Sequence, residues 1–269
     1  ESWRVINCEV DRDLLQNAID ILLKWSEDWL MVFNASKCKV IHFGKNNPKY
    51  SYTMGGFAPG GTVLESTKEE KDVGVIISDT LKPSSQCAAA ARKANQVLGQ
   101  MSRSFHYRDR FTWIRLYKVY VRPHLEYAVQ AWSPWAQEDI NLLENVQRRA
   151  LRMTSGLSGE TYEDRLIEVG LTSLEARRLR GDLIQTWKIL HGYDNVTESL
   201  WFSRTCNTAN RLTRQSNCSF LLNVKQFTFS VRVVNPAWNS LPDYIKESKS
   251  LNIFKNSYDE HVKNVENIM

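Results

Sequence analysis

No two cysteines are separated by two residues, and the five present (Cys8, Cys38, Cys87, Cys206 and Cys218) are widely spaced and odd in number. That pattern excludes a disulfide framework and a closed zinc site, and it points to reduced thiols in an intracellular chain, nuclear or cytoplasmic. Cys206 and Cys218 could be joined by His191, but the ligand spacing of a metal site is missing. No run of about 18 apolar residues occurs, so no membrane span is expected. Glu1–Val10 has neither the basic start nor the apolar core of a secretion signal, and a chain opening on glutamate reads as processed or as part of a longer frame. Gly-x-Ser-x-Gly and Gly-x-x-x-x-Gly-Lys-Ser/Thr are both lacking, which removes the usual nucleophile elbow and phosphate loop. The five histidines sit in unrelated contexts, with His42 reading as an ordinary sheet residue. Nor is there an Asp-Asp pair. Adjacent acids such as Glu27-Asp28, Glu69-Glu70 and Glu138-Asp139 fall in helical or polar stretches, whereas a two-metal site needs carboxylates converging on ions about 3.5–4 Å apart. On these residues alone the chain reads as a binding module, with no metal or cofactor of its own.

What is present is an ordinary globular composition. The 269 residues are 42% hydrophobic and 24% charged, enough for one or two domains with a real core. The net charge of +5 is unevenly spread. Residues 1–91 carry 10 cations against 12 acids, residues 92–152 carry 11 against 5, and residues 153–269 carry 14 against 13. A basic excess confined to the middle suits a polyanionic partner, although a solvated helical surface gives the same count.

Periodicity predicts an α+β chain. Leu15, Ile19, Leu22 and Trp29 mark an amphipathic helix over 11–33, with Asp11 or Asp13 at its start. Strands are expected at Lys37–Gly44, Tyr50–Met54, Thr62–Glu65 and Asp72–Ser78, forming a small, mostly antiparallel sheet. An alanine-rich helix follows at Ser84–Arg103, then one over Asp109–Trp132 kinked at Pro123, then Gln137–Met153, Tyr162–Val169 and Leu174–His191. Ser203–Ser219 reads as a polar loop, followed by short helices at Phe227–Trp238 and Leu251–Val262. The expected division is 1–82, 83–200 (all-α) and a tail over 201–269.

The ordered residues Trp25-Ser26, Phe33-Asn34, Lys37-Cys38-Lys39-Val40, His42-Phe43-Gly44 and Tyr52-Thr53-Met54-Gly55-Gly56 carry a likeness. It continues through Lys71-Asp72-Val73-Gly74-Val75, Leu81-Lys82-Pro83-Ser84, Val121-Arg122-Pro123-His124-Leu125-Glu126-Tyr127 and Gln130-Ala131-Trp132-Ser133-Pro134. It ends in Leu143-Glu144-x-Val146-Gln147-Arg148-Arg149-Ala150 and Arg232-Val233-Val234-Asn235-x-x-Trp238-Asn239. In this order and spacing the chain resembles the reverse transcriptase of jockey-like non-LTR retrotransposons, an RNA-directed DNA polymerase.

The resemblance implies the end of the palm with a primer-grip-like hairpin over 1–82, a thumb-like helical region over 83–200, and a C-terminal tail. It implies that the aromatic-x-Asp-Asp box would precede Glu1, so nucleotide transfer by this polypeptide alone is not expected and Mg2+ belongs only to the intact polymerase. Lys37 or Lys39 would lie near the phosphates of the incoming nucleotide, with surface lysines of an edge strand as the plain alternative. Met54, Gly55, Gly56 and Gly74 would approach the primer, though turns explain the glycines equally. The implied partner is an RNA or RNA–DNA template–primer. Lys93, Arg103, Arg110, Arg115, Lys118, Arg122, Arg148, Arg149 and Arg152 are the candidates to hold its phosphates, with Arg92 and Arg108 beside them. Trp113, Tyr117, Tyr120, Tyr127 and Trp132 fall at helical spacing and read as core rather than as base-stacking rings. The competing readings are a helical scaffold protein derived from a retroelement, or the product of a pseudogene.

Overall fold

The computed structural model describes residues 2–44, 46–55, 61–157, 159, 161–205, 208–214 and 227–266. It is α+β, in two units, Glu1–Ser85 and Gln86–Met269.

The first unit packs one helix on short strands. Helix α1 (Glu9–Asp28) starts where the Asp11 carboxylate accepts the backbone N–H groups of Asn7 (2.9 Å) and Cys8 (3.3 Å), contacts that hold its pKa below the usual carboxylate range. The helix stops at Asp28, five residues short of the expected end, because Leu30 turns left-handed (φ 54°) and Met31 N–H closes on Ser26 O at 2.8 Å. Leu15, Ile19 and Leu23 pack on Tyr52, Met54 and Leu64, whereas Leu22 and Trp29 face outward.

Strand β1 (Lys39–Ile41) pairs in parallel with β4 (Glu65–Thr67), and β2 (Thr53–Met54) pairs antiparallel with β3 (Thr62–Val63). The Gln16 amide continues the β2 ladder, giving one bond to Thr53 O (2.8 Å) and taking one from Thr53 N–H (3.0 Å). The single strand expected over Asp72–Ser78 is a hairpin, β5 (Glu69–Asp72) against β6 (Val75–Ser78). Val73 and Gly74 both take positive φ (43° and 89°) in its two-residue turn, the geometry that matches the twist of the flanking strands.

In the second unit, α2 (from Ser84 to Ser104) is followed by α3 (Arg110–Leu116), a π-turn (Tyr117–Val121), α4 (Arg122–Glu126) and α5 (Val129–Trp132). Then come α6 (Gln137–Arg152), α7 (Tyr162–Glu168) and α8 (Leu174–Leu190). The described residues of the loop expected over Ser203–Ser219 belong to a hairpin, β7 (Phe202–Thr205) with β8 (Thr208–Arg214), in which Phe202 and Leu212 are buried; the rest of that loop lies outside the described residues. The Asn239 amide fastens it by exchanging two hydrogen bonds with the Leu212 backbone (3.0 and 3.1 Å). Helix α9 (Phe229–Arg232) runs into a second π-turn (Val233–Trp238), then α10 (Asp243–Lys246) and α11 (Leu251–Glu266). Their core stacks Phe254 on Trp187 and on Trp238, with ring centroids 5.8 and 6.2 Å apart.

A buried ion pair ties α9 to α8. Arg232 grips buried Asp182 with two bonds (2.9 and 3.0 Å) and donates to Gln130 O (3.0 Å) and Phe227 O (3.1 Å). Burial pushes the Asp182 carboxyl above its ordinary pKa, and Arg232 offsets part of that rise.

Candidate nucleic-acid interface

The middle of the second unit is built on an uneven spacing. Trp113, Tyr117, Val121 and Leu125 are all buried and recur strictly every four residues. Each such step advances about 40° beyond a full turn of a regular helix, so an α-helix would carry the row off the core. The π-turn absorbs the excess, with the Arg122 N–H reaching five residues back to Tyr117 O. It lies immediately before Pro123, whose missing N–H and bulky ring would disturb a regular turn there. The expected kink at Pro123 is therefore a change of helical register. The sharp break comes later, where Ala128 takes φ 50° and the Trp132 indole donates to Tyr127 O (2.7 Å).

Beneath this helix runs a buried polar network centred on α6. Tyr117 donates to Gln147 (2.7 Å), and the Gln147 amide donates to Tyr162 (2.9 Å) and Thr172 O (3.0 Å). Tyr162 donates to the Glu144 carboxylate, which also accepts the first N–H of α8, from Leu174 (3.0 Å). Burial and the Glu144 carboxylate together drive the Tyr162 phenol well above its usual pKa, so it stays a donor. The network fixes the π-turn, α7 and α8 around α6, and so fixes the cations those elements carry.

Two of these cations share a single carboxylate, and a third stands close to both. Arg177 of α8 binds both oxygens of Glu126, Arg122 lies 3.7 Å from the same group, and Lys118 stands one turn earlier. Burial first, then Arg122 and Arg177, push the Lys118 ammonium below its ordinary pKa. The Arg122 guanidinium is lowered by burial and by Arg177, and Glu126 offsets this in part. An added anion at this group would relieve repulsion.

The other expected cations are dispersed. Arg149 hydrogen-bonds Asn95 of α2 (3.1 Å), Arg148 covers the Tyr162 ring at 4.8 Å, and Arg110 pairs with Glu168 at 3.5 Å. Arg115 lies 5.1 Å from the Phe111 ring centroid. Lys93, Arg103 and Arg152 are exposed. Arg108 serves the fold, donating to Ser102 (2.8 and 3.0 Å) and covering Trp113. Trp113, Tyr117 and Trp132 are core as expected, but Tyr120 and Tyr127 are exposed.

In the first unit Lys37 is exposed at the end of a 3-10 turn (Ala35–Lys37) rather than on a strand, and Lys39 is ion-paired to Glu65. Met54 is buried in the core. A Cβ on Gly55 would come within 3.3 Å of the end of the Leu23 side chain, which would have to shift by a few tenths of an ångström to admit it. Gly74 serves the hairpin turn; Gly56, like Cys206 and Cys218, lies outside the described residues. His42 is half-buried, and its pKa is lowered by burial and then by Lys49. Among the described residues no group of three or more His, Cys, Asp or Glu side chains is placed to hold a metal ion. No described helix is long and apolar enough to cross a membrane.

Sequence reasoning missed Arg177 and its counter-ion Glu126. The run Arg177-Arg178-x-Arg180 was the available signal, but only the fold separates its members. Arg177 joins the surface group, Arg178 is buried, and Arg180 pairs with Asp259 of α11 (2.6 and 2.7 Å).

Comparison with known proteins adds ancestry. Over 147 residues the chain is 26% identical to the RNA-directed DNA polymerase from mobile element jockey of Drosophila funebris. It is a distant relative of a retrotransposon reverse transcriptase. The match covers 54% of this chain but 16% of that polymerase. An uncharacterized protein of Caenorhabditis elegans is 28% identical over 100 residues, covering 36% of this chain and 47% of that one. The chain thus spans less than half the length of either relative. No family model and no solved structure matches.

Proposed function

We propose that the Gln86–Met269 unit holds the phosphates of an RNA–DNA template–primer, as a thumb-like part of a retrotransposon reverse transcriptase. The observation that carries this reading is the Lys118, Arg122 and Arg177 group, two arginines on the one carboxylate of Glu126 with Lys118 close enough to be repelled by both. Point charges on rigid helices suit a partner gripped through its backbone and shape rather than its base sequence. The distant relation to a reverse transcriptase supports the choice of polyanion. Nucleotide transfer and its Mg2+ are assigned to the intact polymerase, so holding the hybrid should be indifferent to EDTA.

The test is fluorescence anisotropy of a labelled RNA–DNA hybrid across a salt series. Affinity should fall linearly in log–log form, and Lys118→Gln with Arg122→Gln should make the slope shallower by about two, as expected when two phosphate contacts are lost. No binding at low salt by a natively folded chain would refute the proposal, as would an unchanged slope in the double variant.

A further inference from the structure

Tyr120 was expected in the core and is instead 56% exposed, and its neighbour Val119 is 62% exposed. The π-turn is the cause: it keeps Tyr117 and Val121 both buried, which leaves the residues between them facing outward. One helical turn or more earlier, Phe111 is 69% exposed. A groove of about 350 Å³ runs between these rings, lined by Phe111, Thr112, Arg115, Leu116, Val119 and Tyr120. That volume lies within the range of small-ligand sites.

The segment that leads into and carries the groove is rich in cations. From Arg92 to Leu125 there are eight Lys and Arg residues and one acid, Asp109. Asp109 is already engaged as the cap of α3, accepting Thr112 N–H at 2.9 Å. Arg115 inside the groove lies against the Phe111 face, and none of the ion pairs formed by the described residues includes it. Exposed apolar rings would suit many partners, but a planar guanidinium against one ring, on a segment rich in cations, suits one chemistry best. Flat, anionic strands present a π-face at every base and a phosphate beside it.

We propose that this groove receives unpaired bases of a nucleic-acid strand, one stacked on Phe111 and another on Tyr120, with Arg115 beside Phe111 to meet a phosphate. The inference rests on the template–primer reading and adds to it a single-stranded subsite separate from the Lys118–Arg122–Arg177 group. Duplex has no free base faces to offer, so the subsite distinguishes the unpaired template from the hybrid.

The experiment compares a labelled 12-nucleotide single-stranded RNA, the same length of single-stranded DNA, an abasic strand of that length, and the RNA–DNA hybrid. They are titrated into the full chain and into Phe111→Leu, Tyr120→Leu and the double variant. Leucine keeps an apolar side chain at exposed positions but removes the flat ring, and circular dichroism checks that each variant folds. Each substitution should weaken binding of both base-bearing single strands by at least fivefold, the lower end of the effect of losing one stacked base. The salt slope, the abasic strand and the hybrid should be unaffected. Equal losses on all four probes, or no loss on any, would overturn the proposal. Binding of the hybrid without preference between abasic and base-bearing strands would overturn it too, while leaving the phosphate-holding function standing. Failure to bind any probe would remove both. If sizing shows a concentration-dependent dimer that the double variant abolishes, the rings close an interface between copies of this chain and the proposal falls.

Discussion

Replacing Arg232 by alanine should destabilise the second unit by about 3–5 kcal/mol, the range for removing one partner of a buried ion pair. The Asp182 side chain is 4% exposed and that of Arg232 is 18% exposed, so the variant leaves a carboxylate stranded where water can hardly reach it. Two carbonyls, of Gln130 and Phe227, lose their donor at the same time. For a domain of this size the loss corresponds to a drop of about 10 °C in melting temperature. Buried Trp113, Trp132, Trp187 and Trp238 all belong to this unit, so tryptophan fluorescence during urea or thermal unfolding reports it. The penalty should also depend on pH. Asp182 has a folded-state pKa above its unfolded value, so folding takes up a proton between the two, and stability falls as pH rises through that window. Loss of Arg232 raises the folded pKa further, so the variant should be hurt most at pH 7–8 and progressively less toward pH 5. Asp182→Leu combined with Arg232→Met should recover more than half of the loss, since matched apolar residues remove the stranded charge. A single-variant loss below 1 kcal/mol, or one independent of pH, would show that the pair does not anchor α9 to α8.

Two further outcomes follow from local chemistry. Burial, then Asp139, pushes the Cys87 thiol up to about 12, so its native alkylation by iodoacetamide at pH 8 should run about a thousandfold slower than that of a thiol with an ordinary pKa; mass spectrometry showing similar rates at Cys87 and exposed Cys8 would contradict this. Val73 holds a left-handed conformation that β-branched residues resist, so Val73→Asn should stabilise the β5–β6 hairpin by about 1 kcal/mol. Hydrogen exchange of the Val75 and Ile77 amides, at the hydrogen-bonded pairs of this ladder, should slow by about fivefold, and faster exchange would count against the turn assignment.

Sequence reading succeeded where a local period decided the structure. The α+β class was legible, and the helices at Gln137–Arg152, Tyr162–Glu168 and Leu174–Leu190 each end one residue before the expected position. It failed where a turn or pairing had no local signature. Valine is not a turn residue, so the Val73–Gly74 hairpin read as one strand. The β7–β8 hairpin read as loop because β8 has only Leu212 as a large inward apolar residue. The basic excess was visible in the sequence, but the partners that neutralise it were not. Lys39 meets Glu65 across 26 residues and Arg177 meets Glu126 across 51, separations that only tertiary packing closes. Several residues carrying the family likeness, among them Glu144, Gln147, Arg232 and Asn239, prove to be internal struts. Their likeness therefore speaks first for shared architecture.

The turn at Tyr117–Val121 acts as a phase setter for everything that follows it. Because it holds one residue more than a regular turn, loss of any single residue there would let the segment relax into plain α-helix. Each residue of an α-helix is about 100° of rotation, and after such a loss Val121 and Leu125 would follow Tyr117 at three and seven positions, the regular spacing of one helical face. Arg122, Leu125 and Glu126 would then keep their present directions. Removing one exposed residue, Val119 or Tyr120, should thus lower the melting temperature far less than inserting one, a tolerance pattern set by helical phase and not by side-chain identity.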